Sequence, residues 1–256
     1  ENMGTIQTKG WELAIDYRHT FKNGLHFGVT ASVADDKTEV TKWTYNTKIP
    51  SYGATGWWDK SAYKEGMVLG DIWGLQFDRF LTEDDFNADG SLKAGLPDQT
   101  KVFPAGYQFA PGDVLYKDLD NNGEIVKQTN TNDKGDLSVI GNALPRLQFG
   151  LNLDAAWKGF DISMFFQGVA KRKLWAAGNQ VLPGFTTGEP FYKGAEDYWT
   201  PENTDAFYPR PMDYKQSASG NYSVNDRYLL NMAYLRLKTF TVGYSLPKVW
   251  LSKFKV

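Results

Sequence analysis

The chain has 256 residues, a formal net charge of -2 and no cysteine, and it contains two histidines. The near-neutral charge argues against nucleic acid as a partner. The lack of cysteine excludes a disulfide framework and a thiolate metal site, and two histidines leave little material for zinc sites or histidine-based catalysis. Mean hydropathy is -0.48, and no run approaches the roughly 18 apolar residues of a membrane helix. A membrane β-barrel stays possible because half of each strand faces water.

Two alternating segments near the N-terminus predict a β-hairpin. From Trp11 to Tyr17 the odd positions are apolar and the positions between them are mostly polar, and the same alternation runs from Leu25 to Val33. Successive side chains of a strand point to opposite faces, so each segment has one apolar face. The Asn23-Gly24 pair between them favours a tight turn.

The stretch 35–143 has no alternating strand long enough to cross a membrane. It contains glycine and proline punctuation, a short strand-like piece at 67–80, and an acidic turn with Asp84, Asp85 and Asp89, interpreted as a solvated loop. Such a long connection is uncommon in a compact domain. Outer-membrane barrels have long external loops of this kind.

A second hairpin follows, with strands predicted at 147–157 and 160–166 around a turn at Lys158-Gly159. Each strand reaches about 11 or 12 residues once its flanks are included, against about five or six in soluble sheets. A tilted transmembrane strand needs about nine to 11. The apolar face of this hairpin therefore meets either a protein core or lipid.

A second irregular stretch, 171–228, precedes a last predicted strand at 234–246, whose apolar parity switches between Leu237 and Phe240 and so indicates a bulge. Long and short connections alternate along the whole chain. The predicted fold class is therefore all-β, a fragment of a large antiparallel transmembrane β-barrel, with extracellular loops at 35–143 and 171–228. The alternative fold is a soluble secreted β-sandwich that binds carbohydrate.

One loop matches the first half of an EF-hand. Asp118, Asp120 and Asn122 alternate ahead of Gly123, and Glu124 offers its backbone carbonyl at the seventh position. The pattern then fails, because Thr129 stands where the EF-hand has glutamate. The alternative interpretation is a polar turn rich in Asp and Asn that needs no metal.

The aromatic residues divide by position. Those predicted near strand ends are interpreted as residues of the lipid interface: Trp11, Tyr17, Trp157 and Phe160. Those in the long loops could stack on sugar rings, contact a partner protein or form small apolar cores within the loops: Trp57, Trp58, Trp175, Tyr198 and Trp199. Adjacent acids such as Asp35-Asp36 and Glu196-Asp197 are interpreted as solvated loop residues, so no enzymatic activity is predicted.

Several motifs together resemble a known family. GDVLYKDLDNNGEI, VIGNALPRLQFGLNL, WKGFDISMFFQGV, YWTPENTDAFYPR and DRYLLNMAYLRLKTFTVGYSLPKVWLSK are similar, in order and spacing, to the C-terminal half of SusC/RagA-type TonB-dependent outer-membrane transporters. The resemblance implies a barrel of about 22 strands, a plug domain, and a SusD-type surface lipoprotein as partner. It also implies TonB-energised import of glycans or peptides through the outer membrane of Bacteroidetes-type bacteria.

The resemblance adds two expectations. Relatives of this kind close the acidic loop with an acid just before the VIG motif, which here is Asp136, so the implied ligand set for Ca²⁺ or Mg²⁺ is Asp118, Asp120, Asn122, the Glu124 carbonyl and Asp136. Residues 1–256 are expected to be a partial barrel domain that lacks the plug, the N-terminal segment that contacts TonB, and the last strands.

Overall fold

The computed structural model describes residues 4–44, 63–127, 133–178, 180–184, 192–212 and 220–247. Within these ranges the chain forms strands and short 3-10 helices and has no α-helix. The strands are β1 (Gly4–Thr20), β2 (His26–Trp43), β3 (Asp71–Gly74), β4 (Phe77–Phe80), β5 (Val114–Tyr116), β6 (Ser138–Asn142), β7 (Arg146–Trp157), β8 (Phe160–Lys171), β9 (Lys173–Leu174), β10 (Leu230–Asn231) and β11 (Tyr234–Tyr244). The 3-10 helices are Glu83–Asp85 and Lys193–Ala195.

The chain folds as two compact units. The sheet unit consists of Gln7–Thr38, Leu144–Arg172 and Asn231–Val256, and the loop unit consists of Glu1–Ile6, Glu39–Ala143 and Lys173–Leu230. The two long segments of the loop unit have nearly the same bounds as the predicted loops 35–143 and 171–228, with differences of a few residues. That these regions are extracellular stays a prediction.

The sheet unit is built on five strands in the order β1-β2-β7-β8-β11. β7 pairs antiparallel with β2 and with β8, and β11 pairs antiparallel with β8. The turn between β7 and β8 is the predicted two-residue one. Lys158 and Gly159 have φ of 50° and 86°, the two positive values that a type I′ hairpin turn requires. The predicted all-β antiparallel fold is confirmed.

The strands of the sheet unit are longer than the alternation alone predicts. β1 has 17 residues and β2 has 18, so at about 3.3 Å per residue each spans more than 50 Å. β2 continues to Trp43, past the predicted strand end near Val33. The alternation is interrupted there by Asp35 and Asp36, but backbone pairing continues because it does not depend on which side chains alternate.

Strand register aligns the apolar residues into rows across the sheet. One row is Val29, Leu153, Met164 and Phe240, and the next is Ala31, Leu151, Phe166 and Leu237. The row between them is Thr30, Asn152, Phe165 and Thr239, and the row on the other side of Val29 is Gly28, Asp154, Ser163 and Thr241, so these intervening positions are mainly polar. The sheet therefore has one apolar and one polar face, which we call by those names below.

The predicted bulge is present. The pairing of β11 with β8 shifts between Leu237 and Thr239, which leaves Lys238 without a register partner. Without this extra residue, Leu237 and Phe240 would point to opposite faces, because they are three positions apart. The bulge keeps both side chains on the apolar face.

The loop unit has its own hydrophobic core, although its sequence has no alternating strand of membrane length. β3 pairs with β6 and β4 pairs with β5, and β3 and β4 lie within the predicted strand-like piece at 67–80. The main cluster of buried side chains is Leu75, Phe80, Val102, Phe103, Val114, Tyr116, Ile125, Leu137, Trp199 and Ala206. Hydrophobic burial, combined with short strands, thus orders a region whose sequence has no regular alternation.

Candidate functional site: the apolar sheet face and the acidic loop

No protein layer covers the apolar face of the sheet within the part of the chain that the structure describes. Its large side chains are half-buried or exposed, with Phe240 57% and Leu237 48% exposed. The buried hydrophobic residues of the described chain belong to the loop unit, except Val169 of β8. A soluble domain rarely leaves an apolar surface of this extent open. The face therefore has the composition of a surface that contacts lipid.

The opposite face carries hydrogen-bonded polar groups. Thr30 of β2 donates to the Asp16 carboxylate of β1 at 2.6 Å. Further along the same two strands, the hydroxyls of Thr8 and Thr38 are hydrogen-bonded at 2.8 Å. Polar groups paired in this way, on a face that also carries exposed Asp161 and Gln167, suit a water-filled interior and do not suit hydrocarbon.

Aromatic side chains cluster at the end of the sheet that carries the tight turns. Phe160 packs on Tyr244 with ring centroids 4.4 Å apart, and the Trp157 indole donates to the Asn23 carbonyl at 3.2 Å. Tyr17 is 56% exposed in the same unit. Three of the four predicted interface aromatics thus lie near strand ends. Trp11 does not, because β1 begins at Gly4 and places it inside the strand.

The acidic loop brings three of its five predicted ligand residues together. One carboxylate oxygen each of Asp118, Asp120 and Asp136 lie within 4.8 Å of one another. Asp136 is fully buried, and its oxygens accept the backbone N–H groups of Leu119 and Val126 at 2.8 and 2.7 Å. These two hydrogen bonds fix the carboxylate facing the loop that begins at Asp118.

The remaining two predicted ligands point differently. The Asn122 amide donates to Asp120, and its oxygen accepts the Glu124 N–H at 2.7 Å. The Glu124 side chain is ion-paired with Lys101, which leaves its backbone carbonyl, the atom that the EF-hand pattern uses. Asn122 and Glu124 therefore shape the loop, while the three aspartates supply the converging charge.

The carboxylates of Asp118, Asp120 and Asp136 lie close enough to repel one another. Desolvation by the surrounding loop, together with the Asp118 and Asp136 carboxylates, raises the pKa of Asp120. Burial acts in the same direction on Asp118, but the backbone N–H of Gly123 at 2.8 Å prevails and lowers its pKa. The other oxygen of Asp118, Oδ1, is buried and has no hydrogen-bond partner. Hard cations such as Ca²⁺ and Mg²⁺ bind to clusters of carboxylate and carbonyl oxygens, and the donor atoms of this loop fit such a cation.

The loop aromatics mostly form cores. Trp175 and Trp199 are 5% and 7% exposed and lie in two separate hydrophobic clusters, so the interpretation as small cores holds for both. Tyr198 is 39% exposed. Trp57 and Trp58 lie outside the described residues.

One acid of each adjacent pair has a structural partner. Asp35 binds Arg146, and the Asp197 carboxylate accepts the Phe207 N–H at 3.0 Å. The interpretation of 84–89 as a solvated loop is wrong for Asp85. This residue is buried and accepts two hydrogen bonds from Arg79 at 2.6 and 2.7 Å. Sequence spacing did not indicate this pair, since the turn after β4 brings residues six apart together.

No helix in the described part of the chain is long and apolar enough to span a bilayer. No protein-family model matches the sequence. Two curated proteins of Formosa agariphila are similar to it: TonB-dependent receptor P3, at 25% identity over 99% of this chain, and TonB-dependent receptor P26, at 25% identity over 96%. The chain spans 23% of the length of each.

Solved structures of the RagAB peptide importer share the fold. The open-open state superimposes with a TM-score of 0.60 over 97% of this chain, and another RagAB structure superimposes with a TM-score of 0.62 over 98%, each at 16% identity. In these structures the chain covers 23% and 24% of the matching chain. The long antiparallel sheet with its uncovered apolar face has the features of a fragment of a transmembrane β-barrel. The chain is thus similar to a portion of TonB-dependent receptors in sequence and shares the fold of part of the RagAB importer, which agrees with the resemblance found in the sequence motifs.

Proposed function

We propose that this chain forms part of the wall and the outer loops of an outer-membrane transporter that imports peptides or glycans. The observation that carries the proposal is the apolar sheet face, which no described part of the chain covers. The receptors and the importer to which the chain is similar support the same function. The residue chemistry above does not favour bond-making catalysis, because one acid of each adjacent pair, Asp35 and Asp197, serves as a hydrogen-bond acceptor within the fold.

The proposal includes two partners that the chain itself does not contain. A SusD-type lipoprotein would cover the outer opening of the barrel, in line with the two-component RagAB importer whose fold the chain shares. A TonB complex would supply the energy, in line with the names of the two relatives. Outer-membrane lipid would contact the apolar face.

Uptake by the native bacterium tests the function. Deletion of the gene should abolish growth on either peptides or oligosaccharides as the carbon source, and the intact gene should restore it. A protonophore, which dissipates the gradient that energises TonB, should stop uptake of the same labelled nutrient. Unchanged growth and uptake on both nutrients after deletion would overturn the proposal. So would recovery of the intact protein in the soluble fraction without detergent, which the β-sandwich alternative predicts.

We also propose a structural Ca²⁺ or Mg²⁺ at the acidic loop. The specific observation is the convergence of the Asp118, Asp120 and Asp136 carboxylates with a buried Asp118 oxygen that has no partner. The Asn122 and Glu124 backbone segment would complete the loop around the ion. The cation would neutralise the three charges and fix the segment between β5 and β6.

Calcium binding to the purified intact protein tests this site. Asp120→Asn should weaken Ca²⁺ binding by at least about tenfold, because a carboxylate ligand is lost. Asp89→Asn is the matched control, since Asp89 bonds within its own turn, to Ser91. Chelation should speed amide exchange in 118–127 of the wild type. Equal Ca²⁺ binding by Asp120→Asn and the wild type would refute the site.

A further inference from the structure

The loop unit contains a cavity that the acidic loop and the sheet face do not involve. Its volume is about 360 Å³, within the size range of small-ligand sites. The lining is unusually rich in tyrosine and proline: Pro183, Tyr192, Lys193, Ala195, Glu196, Tyr198, Tyr208, Pro209, Pro211 and Tyr222. We call it the tyrosine pocket. The motif YWTPENTDAFYPR supplies part of it, although sequence analysis assigned that motif only to a loop.

The tyrosine pocket has a buried floor and an open rim. Tyr222 is 3% exposed and Ala195 is 8% exposed, whereas Tyr192 and Tyr198 are 44% and 39% exposed. Lys193 and Glu196 are also exposed. A ligand would therefore enter between the two rim tyrosines and contact the apolar floor.

The walls of the pocket are held by backbone pairing. The Tyr208 N–H donates to the Asp197 carbonyl and the Trp199 N–H donates to the Tyr208 carbonyl, both at 2.9 Å. The Asp197 carboxylate accepts from the Phe207 N–H and the Asn203 amide, which closes the intervening loop. The pocket is thus pre-organised, and binding would order few additional groups.

The floor is part of a rigid aromatic cluster. Tyr222 packs edge-on against Tyr228, with ring centroids 5.3 Å apart, and Tyr208 stacks on Tyr228 at 6.0 Å. Burial raises the pKa of Tyr222 and of Tyr208. Both phenols therefore stay neutral and present apolar ring surface to a ligand.

Two exposed residues of opposite charge lie at the rim of the tyrosine pocket. Lys193 and Glu196 are three residues apart across a 3-10 turn, a spacing that places side chains on one side of the turn. Within the described part of the chain, neither makes a hydrogen bond or an ion pair. An ammonium that donates and a carboxylate that accepts match the C=O and N–H groups of a peptide backbone.

We propose that the tyrosine pocket binds peptide segments that contain proline or bulky apolar side chains; this inference rests on the proposed transport function and specifies its substrate class. Proline-rich segments in the extended polyproline conformation dock into grooves lined by aromatic rings, because little conformational entropy is lost. The buried floor of tyrosine, proline and alanine presents mainly ring and alkyl surface, which matches proline rings and apolar side chains.

Calorimetric titration of the purified intact protein tests the pocket. The probe is the tetrapeptide Pro-Leu-Pro-Leu with acetylated and amidated ends, so that binding reports the segment and not a charged terminus. Maltohexaose and a capped Ser-Gly-Ser-Gly peptide are the comparison ligands. Binding of the first probe alone is the expected result. Preferential binding of maltohexaose, or no binding of the capped Pro-Leu-Pro-Leu peptide, would overturn the inference.

Variants then locate the binding. Tyr198→Ala and Tyr192→Ala should each weaken probe binding about tenfold, the loss typical of an aromatic anchor. Val139→Ala, which truncates an exposed apolar residue of the same unit outside the pocket, should leave binding unchanged. Wild-type affinity in both tyrosine variants would place the site elsewhere.

Uptake separates this inference from the transport function. If both tyrosine variants bind the probe like the wild type and labelled peptide still enters in an energy-dependent way, peptide binding in the tyrosine pocket is refuted and the transport function is retained. If the variants lose binding while deletion of the gene leaves uptake of every nutrient unchanged, the pocket stands and transport fails.

Discussion

Asp85 shows how one buried carboxylate stabilises the turn after β4. It accepts two hydrogen bonds from Arg79 and one from the Thr82 N–H at 2.8 Å. The Arg79 hydrogen bonds lower the pKa of Asp85 from 3.8 to about 2. Because the folded-state pKa lies below the unfolded one, this stabilisation is complete above about pH 4 and is lost as the pH falls towards about 2.

Asp85→Asn should therefore destabilise the turn at neutral pH by about 1–2 kcal/mol, a range reduced because the Arg79 side chain is 41% exposed. It should also remove the acid dependence between pH 4 and 2. The measurement is amide exchange of Thr82 in the intact protein, corrected for the intrinsic pH effect. Glu83→Gln, which removes a neighbouring exposed carboxylate, should retain the wild-type acid dependence. An identical pH profile for Asp85→Asn would contradict the assignment.

Gly168 shows where the sheet needs the absence of a side chain. A Cβ at this position would lie 2.3 Å from the Phe149 ring and 2.5 Å from the Tyr234 carbonyl. Gly168→Ala should cost about 1–3 kcal/mol, as other overpacked sites do. At Gly150, the nearest atom to an added Cβ is the Ser32 hydroxyl at 3.2 Å. Gly150→Ala should therefore cost less. Urea unfolding of the intact protein measures both, and equal losses would argue against the Phe149 contact.

At the scale of the strand, adjacent positions of β7 should respond oppositely to charge. Leu151 lies in an apolar row between Ala31 and Phe166, and Asn152 lies in the neighbouring row beside Thr30. If the apolar face contacts lipid, Leu151→Arg should cost about 2–4 kcal/mol and Asn152→Arg close to nothing.

The folded fraction after urea unfolding in lipid vesicles measures the two arginine variants of β7. The pair is closely matched because the same residue is introduced one position apart on the same strand. Similar costs for both variants would mean that the two faces do not differ in environment, and the membrane assignment of the sheet would then be wrong.

At the scale of the whole molecule, the prediction that 35–143 and 171–228 are extracellular can be tested by epitope insertion. Gly90 ends an exposed turn of the loop unit, and Gly24 ends the turn between β1 and β2. Both glycines are exposed, and insertions are best tolerated in exposed turns of this kind. An epitope inserted at Gly90 should bind antibody on intact cells, and one at Gly24 only after the outer membrane is permeabilised.

Labelling of the Gly24 epitope on intact cells, with none at Gly90, would reverse the topology. The extracellular assignment of 35–143 and 171–228 would then be wrong, while the fold would stand. If neither epitope is labelled on intact cells, neither insertion site is exposed at the cell surface. A third insertion, at Gly159 in the turn between β7 and β8, should behave like the one at Gly24.

Sequence alone determined the alternating segments of the sheet, although not the full length of β1 and β2. A period of two along Leu147 to Trp157 specifies both a strand and its apolar face, and the shift of parity after Leu237 specifies the bulge, since these patterns depend on neighbours along one chain. The alternation of Asp118, Asp120 and Asn122 in the EF-hand-like loop is visible in the sequence for the same reason.

Only the tertiary structure decided the interior of the loop unit. The Asp85–Arg79 pair, the burial of Trp175 and Trp199, and the tyrosine pocket each depend on segments that meet in space. Tyr222 and Pro183 are 39 positions apart along the chain, yet both line the same cavity. A region without regular alternation folds through such long-range contacts, and a local sequence pattern does not encode them.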